Sequence, residues 1–131
     1  MPTFNDPTVD ADELREAARG LAHATRSISD PTEAYTVLGA VSMSLDSMSQ
    51  SLHQIGASHD HCTRTPQVNG DQHAGRAASY RVAWELHRAA EMLHQVAECV
   101  DRAHEIEAAI AYSPTTPDQP RRSSPNSGLA L

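Results

Sequence analysis

A row of histidines and carboxylates is the part of this sequence with the most evident capacity for chemistry. The row comprises His87, Glu91, His94, Glu98, Asp101 and Glu105. Its members are separated alternately by four and three residues, so on a helix they share one face. Glu91 and His94 form the Glu-x-x-His pair of di-iron bundles, but such sites need a second pair and two glutamates on facing helices. Because the facing segment offers only Glu33, Asp46 and His53, we interpret the row as a solvated face linked by i,i+4 pairs, with an incomplete metal site as the alternative.

A second group of potential metal ligands lies in the segment His59-Asp60-His61-Cys62. Two imidazoles and a thiol within four residues are suitable ligands for zinc or copper. His73 follows eleven residues after the cysteine, but no Cys-x-x-Cys or paired-histidine motif completes a closed site. We therefore predict that the protein needs no metal or other cofactor. If a metal binds, the candidate ligands are His59, His61, Cys62, His87, Glu91, His94 and Glu98.

Serines are frequent between residues 42 and 51, but nothing around them indicates a nucleophile. No Gly-x-Ser-x-Gly turn or Ser-His-Asp arrangement is present. We predict that the protein is not an enzyme. Small, uncharged side chains instead favour a helix that other segments approach closely, although a plain exposed surface gives the same composition.

The elements that position these residues are marked by helix caps. Asp30 and Pro31 suit the cap and first residue of a helix, with Glu33 at its third position. Asp10 and Glu13 form a similar capping pattern. Ser113-Pro114 biases the backbone away from helix. We predict an N-terminal arm over 1–9, helices over about 10–28, 31–55 and 71–112 within one domain 10–112, a loop over 56–70, and a disordered tail over 113–131.

Apolar residues recur at alternating spacings of three and four in all three helical segments, and the core must be aliphatic because aromatic residues make up 4% of the chain. The pattern predicts an all-α fold. In it, helices 2 and 3 form an antiparallel hairpin and the N-terminal helix packs alongside, with Arg26 near Glu105 and Glu107. Dimerisation into a larger bundle is left open.

The predicted lengths leave the start of helix 3 without a partner. Helix 2 would run out opposite Leu86, so residues 71–85 would project beyond the hairpin. This region holds the chain's one basic and aromatic surface: Arg76, Tyr80, Arg81, Trp84 and Arg88. Arginine and aromatic residues are enriched in binding hot spots. We predict that this surface binds a protein partner or a second copy; the alternative is that the 56–70 loop covers Trp84.

The charge of the chain limits the classes of partner. The net charge is −7, and all ten basic residues are arginines. Such acidity disfavours binding to a nucleic-acid backbone. It leaves open an acidic inhibitor that imitates nucleic acid. No basic and apolar leader or long apolar segment is present in the sequence, so we expect a cytoplasmic protein that does not enter a membrane.

The segment Asp30-Pro31-Thr32-Glu33-Ala34-Tyr35-Thr36-Val37-Leu38-Gly39 resembles the opening of short, Ala-rich helical proteins of actinobacterial mobile elements, over roughly residues 28–110. The resemblance implies a helical hairpin with a polar loop and an origin on a conjugative element or phage, and it transfers no functional residues. Together with the features above, it leads us to expect a non-enzymatic interaction or accessory protein. Metal or small-ligand binding through the histidines is the alternative.

Overall fold

The computed structural model of the protein describes residues 1–61 and 63–112. Within them, α1 spans Pro7–Ala24 and continues as a 3-10 turn over Thr25–Ser27, α2 spans Pro31–Asp60, and α3 spans Gln72–Ala109. α2 and α3 pack against each other along their lengths. Their antiparallel pairing confirms the all-α hairpin with an N-terminal helix. Cys62 and the tail expected to be disordered, 113–131, lie outside the described residues.

An aspartate caps each helix at its N-terminus. Asp30 accepts from the hydroxyl and backbone N–H of Thr32, and these bonds lower the pKa of the Asp30 carboxyl. Asp71 caps α3 by accepting from two backbone N–H groups. α1 begins three residues before the predicted start because Asp6 and Pro7 repeat the Asp-Pro cap of α2. Asp10, the predicted cap, lies inside α1.

α2 continues to Asp60, past the predicted end at residue 55. Gly56 does not end the helix; it lies buried where α3 approaches, and a Cβ atom there would stand 3.0 Å from Nε2 of His87. Glycine is tolerated inside this helix because the approach leaves no room for a side chain. The longer α2 and the loop after it accompany α3 almost to its first turn.

The hairpin is held at a seam of small residues spaced by seven. These are Ser42, Ser49 and Gly56 on α2, and Ala83, Ala90 and Ala97 on α3, all buried. Ser49 Oγ donates to the backbone carbonyl of Ala90 at 2.7 Å, so the helices approach within one hydroxyl of each other. At the open end, the rings of Tyr35 and His104 stack with their centroids 4.3 Å apart. Two of the five serines between residues 42 and 51 thus lie where α3 approaches closely, whereas Ser44, Ser47 and Ser51 belong to the exposed surface that was the alternative.

The seam divides the hairpin into two faces. Asp46 and His53 on α2 meet His94 and His87 on α3 on one side. We call this side the polar face. The heptad rows on the other side of the seam carry leucine, valine and methionine, and none of these large side chains is fully buried. The hairpin therefore buries small residues completely and leaves its large apolar residues half-exposed.

The prediction that the N-terminal helix packs alongside the hairpin is wrong. Cα atoms of α1 stay more than 8 Å from those of α2 and α3, and no residue of α1 is buried. Arg26 forms no ion pair with Glu105 or Glu107 in the described part of the chain. The 3-10 turn over Thr25–Ser27 and the extended residues before Pro31 connect α1 to α2. A cleft of about 520 Å³ lies at this bend.

The described helices include none with the length and apolar character needed to cross a membrane.

The seam makes a direct prediction for side-chain size. Ala90→Leu places a larger side chain where the carbonyl of Ala90 already meets Ser49, and we expect the hairpin to lose about 1–3 kcal/mol of stability because overpacking separates the helices. Ala40→Leu is the matched control on the exposed surface of α2. Chemical denaturation of both variants measures the difference; equal stabilities would show that the helices do not touch at Ala90.

Candidate functional site

The polar face brings two histidines into direct contact. Nδ1 of His53 lies 2.8 Å from Nδ1 of His87. Nε2 of His87 lies 3.5 Å from an Asp60 carboxylate oxygen. If His87 carries its proton on Nε2, its Nδ1 accepts a hydrogen bond from His53, and its Nε2 faces the Asp60 carboxylate at the longer distance of an ion-pair contact. The two rings are tilted by 34° and are both half-buried.

The rest of the predicted His/carboxylate row is divided among separate partners. His94 lies between Asp46, at 3.4 Å, and Glu98, at 3.5 Å. Asp101 accepts a hydrogen bond from Ser42 beside the seam. Glu91 lines a shallow cavity of about 580 Å³ together with His53, His87 and His94. Four members of the row, His87, His94, Glu98 and Asp101, therefore contact polar partners across or along the helices, and the i,i+4 pair His94–Glu98 fits the solvated-face interpretation.

No group of three or more histidine, cysteine or carboxylate side chains is arranged to hold a metal ion within residues 1–61 and 63–112. His59 lies in the last turn of α2, where its Nδ1 is 3.3 Å from Oγ of Ser79, and His61 is the C-terminal cap of the helix. His59 and His61 thus have structural positions at the hairpin turn. The prediction that the protein needs no metal stays a prediction, with metal binding at these residues or on the polar face as the alternative.

The predicted partner-binding residues lie at the end of the hairpin that carries the loop. We call Arg76, Tyr80, Arg81, Trp84 and Arg88 the loop-end surface. Tyr80 and Trp84 are 68% and 59% exposed. The Arg88 guanidinium lies 5.3 Å from the centre of the Trp84 ring, within reach of a cation–π contact. Arg76 and Tyr80 also line a cleft of about 270 Å³ with the loop.

The overhang that led to this prediction, in which residues 71–85 project beyond the hairpin, is absent. α2 extends to Asp60, which places His59 opposite Ser79, and the loop packs on α3 at Gly75. The alternative, in which the loop covers Trp84, is also wrong, because the Trp84 side chain is 59% exposed. The loop-end surface is therefore an exposed part of a complete hairpin, and its role in binding stays a prediction.

One apolar surface of the hairpin was not identified as a site by the sequence analysis. We call it the apolar face: Leu38, Val41, Leu45, Met48 and Leu52 of α2 with Leu86, Ala89, Leu93, Val96 and Val100 of α3. It contains no charged residue. Val96 is 47% exposed, and Ile55 and Val82 extend the face toward the loop with 49% and 40% exposure. The signal was available in the sequence of α3, where Ala90 and Ala97 alternate with larger apolar residues along the stripe, but the large residues of both helices were assigned to the core.

Comparisons of the chain with protein-family models, with curated proteins and with solved structures find no match. The resemblance to Ala-rich proteins of mobile elements thus stays a prediction that depends on the Asp30–Gly39 segment.

The loop that shapes the loop-end surface gives a test with opposite signs at two glycines. A Cβ atom at Gly75 would stand 2.0 Å from the carbonyl oxygen of Pro66, so Gly75→Ala must displace the loop backbone and destabilise the hairpin. Gly20 in α1 has nothing within 4 Å of its Cβ position. We expect Gly20→Ala to stabilise α1 by about 0.5–1 kcal/mol and so to raise its helix content, because glycine loses more conformational freedom than alanine in a helix. Thermal melting followed by circular dichroism compares the two; a stabilising Gly75→Ala would contradict the packed loop.

Proposed function

We propose that the protein is a non-enzymatic interaction protein whose first binding event is self-association through the apolar face. The observation that carries the proposal is the exposure of this face: its leucines, valines and methionine are half-buried or exposed along the whole hairpin. A helix normally buries such a stripe against another element. Within the described chain, α1 does not cover it.

The size of the apolar face supports a protein partner. From Leu38 to Ile55 the face is roughly 25–30 Å long at ~1.5 Å per residue, and two adjacent helices are about 20 Å wide. The resulting area of roughly 500–600 Å² is at the upper end of the largest apolar patches of monomers, which are often functional, and is about two thirds of the roughly 800 Å² that each partner contributes to a stable interface. Helix-on-helix packing of two hairpins would give a four-helix bundle.

The charge distribution supports a second copy as the occupant. The chain carries −7 overall, yet the apolar face carries no charge, and Asp46, Asp60 and Glu91 lie toward the opposite face. Two copies joined at their apolar faces keep these carboxylates apart. Self-association at the face also replaces the overhang as the expected site of dimerisation.

The apolar face is tested by a charge at Val96. Val96→Glu places a carboxylate in the proposed interface twice, once from each copy, and we expect association to weaken by roughly a hundredfold or more because burying an unpaired charge is costly. Gln95→Glu is the matched control, since it adds the same charge to the adjacent, exposed residue outside the face. Sedimentation equilibrium gives the molar mass of both variants against the 14.2 kDa chain.

Circular dichroism serves as the folding control, because Val96 is exposed and its substitution leaves the seam intact. The proposal predicts a dimer for the natural chain and for Gln95→Glu, and a monomer of unchanged helix content for Val96→Glu. A natural chain that remains monomeric at ~100 μM or above, a concentration at which even weak pairs form, would overturn the proposal.

A further inference from the structure

We infer that the two copies pair about a two-fold axis that crosses the helices near Leu45 and Leu93, so that their loop ends lie at opposite ends of the bundle. The inference rests on the proposed self-association and adds the geometry of the pair. Two features carry it: the arrangement of large residues on the apolar face and the polarity of charge along α3.

The apolar face presents the same pattern from both of its ends. On α2, leucines stand at 38, 45 and 52, with Leu45 in the middle. A two-fold axis across the helix at Leu45 places Leu38 of one copy against Leu52 of the other, so each leucine meets a leucine. On α3, Leu93 has the same central position between Leu86 and Val100. The face is thus complementary to a reversed copy of itself.

Charge along α3 favours the same orientation. Three of its arginines, Arg76, Arg81 and Arg88, lie in the half near the loop. The half near the open end holds five acids and one arginine, Arg102; the acids are Glu91, Glu98, Asp101, Glu105 and Glu107. In the described part of the chain, none of the arginines of the hairpin has a carboxylate within 4.0 Å. Their charge is therefore available to a neighbouring molecule.

The two possible pairings differ in what this charge meets. With the loop ends opposed, the arginine-rich end of each copy lies beside the acidic end of the other. With the loop ends together, the two acidic ends lie side by side, and like charges oppose association. Both pairings bury the same apolar face, so electrostatics decides between them. The favoured pair displays its two loop-end surfaces at opposite ends of the bundle, roughly 35 Å apart along the helices at ~1.5 Å per residue.

Cysteine cross-linking of the full chain tests the orientation. In a Cys62→Ser, Cys99→Ser background, Val96→Cys lies close to the proposed axis and Val82→Cys lies two heptads away on the same row of α3. With a bismaleimide of about 10 Å reach, we expect Val96→Cys to cross-link to itself and Val82→Cys not to do so. A mixture of Val82→Cys and Ala103→Cys chains should cross-link, because a two-fold axis near Leu93 places these two positions of one heptad row opposite each other.

The outcomes separate the orientation from the proposed function. A dimer by sedimentation in which Val82→Cys cross-links to itself overturns the inferred orientation, whether or not Val96→Cys also does so, and leaves self-association intact. A monomer overturns both. A cross-link within one chain between Leu21→Cys and Val96→Cys would show α1 folded over the apolar face, and it would also overturn both.

Discussion

Close approach of α2 and α3 at a row of small side chains is the constraint on which the rest of the structure depends. Ser49 donates directly to the carbonyl of Ala90, and a Cβ atom at Gly56 would stand 3.0 Å from Nε2 of His87. Side chains this small bury little apolar area, so they gain little hydrophobic free energy at roughly 25 cal/mol per Å² buried. They hold the helices together by dispersion contacts and serine hydrogen bonds, and they exclude every larger residue from the centre of the hairpin.

Exclusion from the centre explains both faces. Large apolar residues one position round from the seam flank it and remain half-exposed, which creates the apolar face. On the other side, the short distance between helices brings His53 within 2.8 Å of His87 and lets His94 reach Asp46. The histidine pairs therefore follow from helix separation, as does the groove beside them. One geometric cause gives the protein an uncharged side suited to association and a polar side suited to solvent.

Features encoded within one helix could be predicted from the sequence. The spacing of apolar residues predicted the hairpin, and Asp30-Pro31 predicted the start of α2 to the residue. Relations between elements could not be predicted as well. The apolar stripe of α1 led us to pack this helix on the hairpin. The stripe is present, but whether α1 packs depends on the bend at residues 25–30. For the candidate site, the loop-end residues were identified, whereas the apolar face was mistaken for core because a stripe does not reveal how many helices cover it.

The contact between the loop and Gly75 also has a consequence for how the chain folds. Pro66 is separated from Gly75 by a short stretch of chain, so this contact costs little closure entropy, and each seam pair beyond it adds one heptad from the loop toward Tyr35 and His104. A topology of this kind folds quickly because its contacts are close in sequence. The order of assembly runs from the loop outward. Changes near the loop then act on the folding rate, while changes at the open end act on the unfolding rate.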